Sequence, residues 1–335
     1  MIQAPASAPP APAERWRLDQ LQRALAGVLP DASLTTQGAP LELSAPSDPP
    51  VLAAAEVVED GVLRAHAPGA GDEPPFVAFL DGTQRSDLVG HAPDGVPIVS
   101  GTVAAVVREW RDGHARTWRH ARQQRLYAPR AAMPPSAWGA IEALRLPVVD
   151  TSADDPSLTD AHPAAMRDAA LERIQRDREQ EEQQVAHAWC SERDEALYVD
   201  GGLRGSVVLA RASQPVGVIK SHRTLYGDRA ARRVVFELRA GERSSVFVVA
   251  SPSRVPVASW YLRLRDPAGH DPLWGLVRVE VRHEAGASRA AIMRRADAVS
   301  RRILGERMPT AHPDARWDTM VYGIRDCEAF LKAMP

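Results

Sequence analysis

The spacing of apolar residues along the chain changes several times, and each change predicts an element. Over residues 14–26 they recur at helical spacing, with Trp16, Leu18, Leu21 and Leu25 on one side. From Phe76 onward, short apolar runs bounded by Gly, Pro, Asp or Ser predict strands at 76–80, 87–91 and 96–107, the last alternating as a sheet strand does. Further strands are predicted at 196–199, 205–211, 216–221, 233–238, 244–250, 257–264 and 276–281, and helices at 163–193, 287–304 and 325–333. Residues 1–13 read as a disordered Pro/Ala tail. Residues 29–75, rich in Pro, Ala, Ser and Gly, carry strand-like pieces at 50–53 and 60–64, so that 14–75 form a lead-in segment. Residues 111–162 read as an inserted helical segment within a domain running from 76 to 335. The sum is an α/β protein, a mixed sheet flanked by helices.

Two of the strands end in the same phrase. Phe76-Val-Ala-Phe-Leu-Asp81-Gly82 and Ala196-Leu-Tyr-Val-Asp200-Gly201 each place a carboxylate where an apolar run stops and a glycine allows the chain to turn. If the strands are neighbours, two carboxylates face one cation. A single Asp-Gly after a strand is equally an ordinary turn.

The helix over 163–193 adds a third acid. Its apolar side reads Leu171, Ile174, Val185 and Trp189, and the intervening turns put Arg178, Glu181 and Glu182 on or beside that side. An inward carboxylate is costly unless a cation neutralises it, although glutamates in Arg-Glu-Gln-Glu-Glu-Gln-Gln also suit a solvated surface. Lys220 closes the run Pro215-Val-Gly-Val-Ile, where a buried cation calls for a phosphate or carboxylate partner; snorkelling to solvent is the alternative.

Composition narrows the function classes. The chain has 335 residues, 44% hydrophobic and 25% charged, enough for one large domain or two ordinary ones. No apolar run reaches 18 residues, and the N-terminus lacks a basic segment followed by a hydrophobic one. Neither a membrane span nor a signal peptide is indicated, and a cytoplasmic protein is expected. Cys190 and Cys327 are too few for a disulfide framework or zinc site. Net charge is −2, so nucleic-acid binding requires local clusters of cations. The stretch 111–130 offers one, with arginines for phosphates and Trp118 or Tyr127 to stack on bases, though a solvated helix reads nearly the same way. Arg223, Arg229, Arg232 and Arg233 offer another. No Gly-x-x-x-x-Gly-Lys-(Ser/Thr) loop occurs, so any ATP hydrolysis falls to a partner.

The order of these parts resembles the NurA nucleases: a strand with Asp-Gly-Thr, a long helix bearing a glutamate, a strand with Asp-Gly-x-Leu, then a strand ending Gly-Val-x-Lys-Ser. The resemblance runs from about Phe76 to the C-terminus, interrupted over 111–162. It implies an RNase H-like, PIWI-related core, a homodimer, and manganese- (or magnesium-) dependent cleavage of DNA alongside a HerA-type hexameric ATPase, in DNA repair or defence against foreign DNA. The family's two aspartates fall on Asp81 and Asp200 and its lysine on Lys220. The helical glutamate is one of Glu179, Glu181 and Glu182, the inward face favouring Glu181 or Glu182. The C-terminal tyrosine falls on Tyr322, but glycine follows it and the family's histidine is missing; Asp326, Glu328 and His312 are the candidates to replace it. That departure keeps a second expectation open, a catalytically weak DNA-binding or regulatory subunit of a translocase complex. A different RNase H-like enzyme, such as a resolvase or an Argonaute-like nuclease, is the third.

Overall fold

The computed structural model describes residues 16–35, 41, 50–153, 155–308 and 318–334; the tail expected over 1–13 and His312 lie outside them. In chain order the elements are helix α1 (Leu18–Val28), strands β1 (Ser33–Leu34), β2 (Val51–Ala53), β3 (Glu56–Val57), β4 (Ala65–His66), β5 (Ala78–His91), β6 (Pro97–Arg111) and β7 (His114–Ala128), helix α2 (Pro135–Glu142), β8 (Val148–Asp150) and helix α3 (Pro163–Glu192). Then come β9 (Leu197–Asp200), α4 (Val207–Arg211), β10 (Pro215–Ile219), β11 (Thr224–Tyr226), α5 (Arg229–Glu237), β12 (Arg243–Ser244), β13 (Phe247–Ser251), β14 (Arg254–Arg263), β15 (Leu276–Arg282), α6 (Arg289–Glu306) and α7 (Tyr322–Ala333).

The chain divides into two compact units, residues 1–44, 84–103 and 123–176, and residues 45–83, 104–122 and 177–335. The stretch expected as a lead-in is therefore shared between them. In the first unit, β1 pairs antiparallel with the far end of β5 and β8 parallel with the end of β7. Leu21 and Leu25 of α1 and Trp138 and Ile141 of α2 share its core with Val89, Ile98 and Leu126.

The second unit holds every candidate site residue. Its strands run in the order β3-β13-β14-β15-β10-β9-β5-β6-β7. The sheet is mixed: β9 lies parallel to both β10 and β5, whereas β10, β15, β14 and β13 alternate in direction. Strand alternation sorts its residues into two cores. Phe79, Tyr198, Val218 and Trp260 face Ile303 of α6 and Ile324 and Cys327 of α7. Leu80, Leu197, Val199 and Tyr261 face Val185 and Trp189 of α3, Leu209 of α4 and Val235 of α5.

Five sequence expectations change. The basic stretch expected as part of an inserted helical segment is a strand, β7, which carries long polar side chains on both faces and so shows no clean alternation. Residues 205–211 and 233–238, expected as strands, are helical: Ser206 accepts the Leu209 N–H at 3.3 Å and Asp228 accepts the Ala231 N–H at 2.8 Å, capping α4 and α5. Residues 60–64 form no strand. Strands expected at 76–80 and 87–91 are one continuous β5, so Asp81 lies within a strand and not at its end.

Candidate functional site

β5 and β9 lie side by side and parallel, in the register Ala78 to Leu197, Phe79 to Tyr198, Leu80 to Val199. Asp81 and Asp200 are each the next residue. Alternation puts both on the face that carries Phe79 and Tyr198. The two Asp-Gly glycines then do different things. Gly201 has φ +145° and lets the chain leave β9. Gly82 stays extended within β5, and a Cβ there would land on the carboxylate of Glu182, 2.7 Å from its Cδ. The missing side chain is the gap through which α3 delivers its acid to the sheet.

Glu182 is thus the glutamate laid against the aspartate strand. Glu181, about 100° round the helix, is buried on the core-facing side together with Asp177, an inward acid that the helical pattern did not single out. Both turn polar atoms inward on a helix whose other buried positions are Met166, Ala170, Leu171, Ile174, Val185, Ala186 and Trp189.

The site's acids are poorly compensated. Burial pushes the Asp81 carboxyl up to about 7, and the negative charges of Asp200 and Glu182 push the same way against Lys220 and the Gly82 N–H. Burial likewise pushes Glu182 up to about 7; Arg178 opposes the shift while Glu179 and Asp200 add to it. Lys220 Nζ donates to Asp200 Oδ2 at 2.8 Å, so the strand-end lysine has a carboxylate partner, and Arg178 Nη1 donates to Glu182 Oε1 at 2.6 Å.

The loop after Asp200 is anchored from below. Glu280 on β15 is 1% exposed and its Oε2 accepts the Leu203 N–H at 2.8 Å, while its Oε1 pairs with Arg278 at 2.5 Å. Sequence reading passed over it because its acid sits inside an ordinary alternating strand. Tyr198, between the aspartates and the core, is buried with no hydrogen-bond partner for its hydroxyl among the described residues, and burial raises its pKa well above the usual value.

Tyr322 opens α7 and is 46% exposed. The glycine that follows it has a reason: the ring of Phe79, two residues before Asp81, lies against the Gly323 Cα and fills the space of any side chain. Cys327 Sγ donates to the Phe79 carbonyl at 3.3 Å, fixing the helix to β5. Asp326 pairs with Arg108 at 2.6 Å and Glu328 with Lys332 at 3.3 Å.

Among the described residues, only Glu59, Asp60 and His66 bring three ligand atoms within 4.8 Å of one another. Asp81, Glu182 and Asp200 stand further apart. The tighter cluster is filled: both Glu59 oxygens accept from Arg243, at 2.8 and 2.9 Å, and Oε2 also accepts the Val246 N–H at 2.7 Å. Asp60 accepts from Ser245, His66 and Arg289. A cation would have to evict an arginine that has no other buried carboxylate to itself. Asp81 and its neighbours have the hard oxygen donors and the excess negative charge that a divalent cation fits.

No family model matches the chain, and no curated protein matches it. Among solved structures, the NurA nuclease from Sulfolobus solfataricus overlaps 78% of this chain and 86% of its own, with 11% identity and a TM-score of 0.39. Among the described residues no helix is long and apolar enough to cross a membrane.

Proposed function

We propose that this protein is a deoxyribonuclease that uses Mn²⁺ or Mg²⁺ held by Asp81, Asp200 and Glu182. The observation that carries the reading is the parallel pairing of β5 with β9, which sets buried Asp81 next to half-buried Asp200 with a glutamate entering across Gly82. Such a cation supplies an activated water and stabilises the leaving oxygen of a phosphodiester. Asp81 and Glu182, whose charge burial disfavours, supply oxygen donors, Glu182 with one oxygen engaged by Arg178. Asp200 is held in place by its own loop and by Lys220, which offsets charge on the phosphate. Tyr322, exposed at the start of α7, lies at the end of a helix tied to the aspartate strand. The order of motifs supports DNA as substrate, a homodimer, and a HerA-type hexameric ATPase as partner.

Asp200→Ala is expected to abolish Mn²⁺-dependent cleavage of linear DNA with the fold intact by circular dichroism. Full residual activity would sink the assignment. A second reading, a catalytically weak DNA-binding subunit, is favoured by one observation: Asp326, the nearest acid in sequence to the missing histidine, is already engaged by Arg108. Assaying the purified protein with and without a HerA-type ATPase separates the two.

A further inference from the structure

Among the described residues Lys220 and Arg178 each donate to an acid of the site, and Arg178 is placed oddly for a structural role. Arg178 and Glu182 are four residues apart on α3, arginine first, which is the weaker order for a stabilising pair on a helix. Their contact is also not at the solvated surface: the Glu182 side chain is 15% exposed and rests against Gly82. Arg178, at 25%, still reaches water. Its second acidic neighbour, Glu179, is 3.8 Å away and half exposed. Lys220 stands in the same relation to Asp200 at 2.8 Å. In this arrangement each outer acid is drawn towards a side-chain cation, and the three acids stay further apart than a shared ion requires.

We propose that Arg178 is a resident counter-ion, which a divalent cation displaces from Glu182 and which then holds the phosphodiester beside that cation. This rests on the metal-dependent nuclease reading above and extends it. The exchange is balanced in charge. A divalent ion takes over the neutralisation of Glu182, the guanidinium is released, and the substrate phosphate brings the anion that the guanidinium then needs. Arginine suits the second task because its planar fork meets phosphate oxygens in pairs. A residue whose only work is to brace α3 would do neither.

The test titrates Mn²⁺ calorimetrically into the unaltered protein, Arg178→Gln and Arg178→Lys, with thermal melts to verify folding. Removing the competitor should tighten Mn²⁺ binding about tenfold in Arg178→Gln, while Arg178→Lys, which keeps a competing charge, stays near the unaltered value. On linear DNA at saturating Mn²⁺, Arg178→Gln should raise KM and lower the salt slope of binding by about one charge. Mn²⁺ binding in Arg178→Gln that is unchanged or weaker overturns the proposal alone. Tighter Mn²⁺ with unchanged KM and salt slope overturns the phosphate-holding step. No Mn²⁺ binding by the unaltered protein overturns this proposal and the metal-site reading together.

Discussion

Two acidic clusters in the second unit look alike in composition and differ in chemistry. Around Glu59, burial works against charge, yet Arg243 is fully buried and shared between Glu59 and Asp297, at 2.8 and 2.6 Å. Burial also works to raise Asp60, but hydrogen bonds from Ser245, His66 and Arg289 hold it below the usual carboxylate range. Around Asp81 the acids are somewhat more exposed, and Lys220 and Arg178 keep contact with water where Arg243 does not, yet two carboxyls are pushed up to about 7. The geometrically tighter cluster is therefore the worse cation site. Ligand spacing alone says where oxygens gather; the state of their lone pairs says whether a cation is wanted.

The largest expected difference is in activity. Asp200→Asn should lower cleavage at least about 10³-fold, roughly 4 kcal/mol of transition-state stabilisation, and should abolish the rise in melting temperature that Mn²⁺ gives the unaltered protein. Glu59→Gln should leave that Mn²⁺-dependent rise in place. A rise lost in Glu59→Gln and kept in Asp200→Asn would invert the comparison.

Next comes stability. Arg243→Met strands the buried Glu59 carboxylate and removes the partner of half-buried Asp297, and should cost about 3–5 kcal/mol in urea denaturation. A loss under 1 kcal/mol would mean that the cluster is not a closed ionic knot.

The third is a pH effect of opposite sign in the two clusters. Asp81 has a folded pKa of about 7 against 3.8 for the free side chain. Between those values the folded chain keeps a proton that the unfolded chain has lost, so stability falls as pH rises from about 4 to about 7 and stays low above it. Asparagine does not titrate. Asp81→Asn should flatten that fall and gain roughly 2–4 kcal/mol over the unaltered protein at pH 8 without metal. Asp60, held below its usual range, contributes stability that is present above the unfolded carboxylate pKa and lost as pH falls through its folded value. Asp60→Asn should therefore be destabilising at pH 8. Urea titrations at pH 5 and pH 8 read both.

Some of this was legible in the sequence and some was not, for physical reasons. Strands such as β10, β14 and β15 carry apolar runs bounded by turn residues, and α3 and α6 are long enough for their period to show. α5 was misread because Val234-Val-Phe looks like a strand core, although Asp228 three residues before Ala231 is a capping signal present in the sequence. The aspartates and the lysine stood out as polar residues closing apolar runs. Which acid of Glu179, Glu181 and Glu182 reaches them depends on helix phase to within one residue, and periodicity on so charged a helix does not fix it. The pairing of β5 with β9 joins residues 119 apart in sequence, and no local pattern encodes that. The saturation of Glu59 by Arg243, 184 residues away, is equally invisible.

The smallest expected effect tests the feature that separates the two Asp-Gly phrases. At Gly82 the backbone is extended, so alanine meets no conformational strain, and replacing glycine within a strand favours the strand slightly. The cost is local: the new methyl occupies the place of the Glu182 carboxylate, which must swing away from Asp81. Gly82→Ala should thus keep its thermal stability to within about 1 kcal/mol while weakening Mn²⁺ binding about tenfold, close to 1.4 kcal/mol. At Gly201 a Cβ meets nothing within 4 Å but φ is +145°, so Gly201→Ala should lose stability through backbone strain, and affinity only as the Asp200 loop shifts. Calorimetric Mn²⁺ titrations of the two variants, set beside their melts, decide it. If Gly82→Ala binds Mn²⁺ as tightly as the unaltered protein, Glu182 is not a ligand and the third acid has to be sought elsewhere on α3.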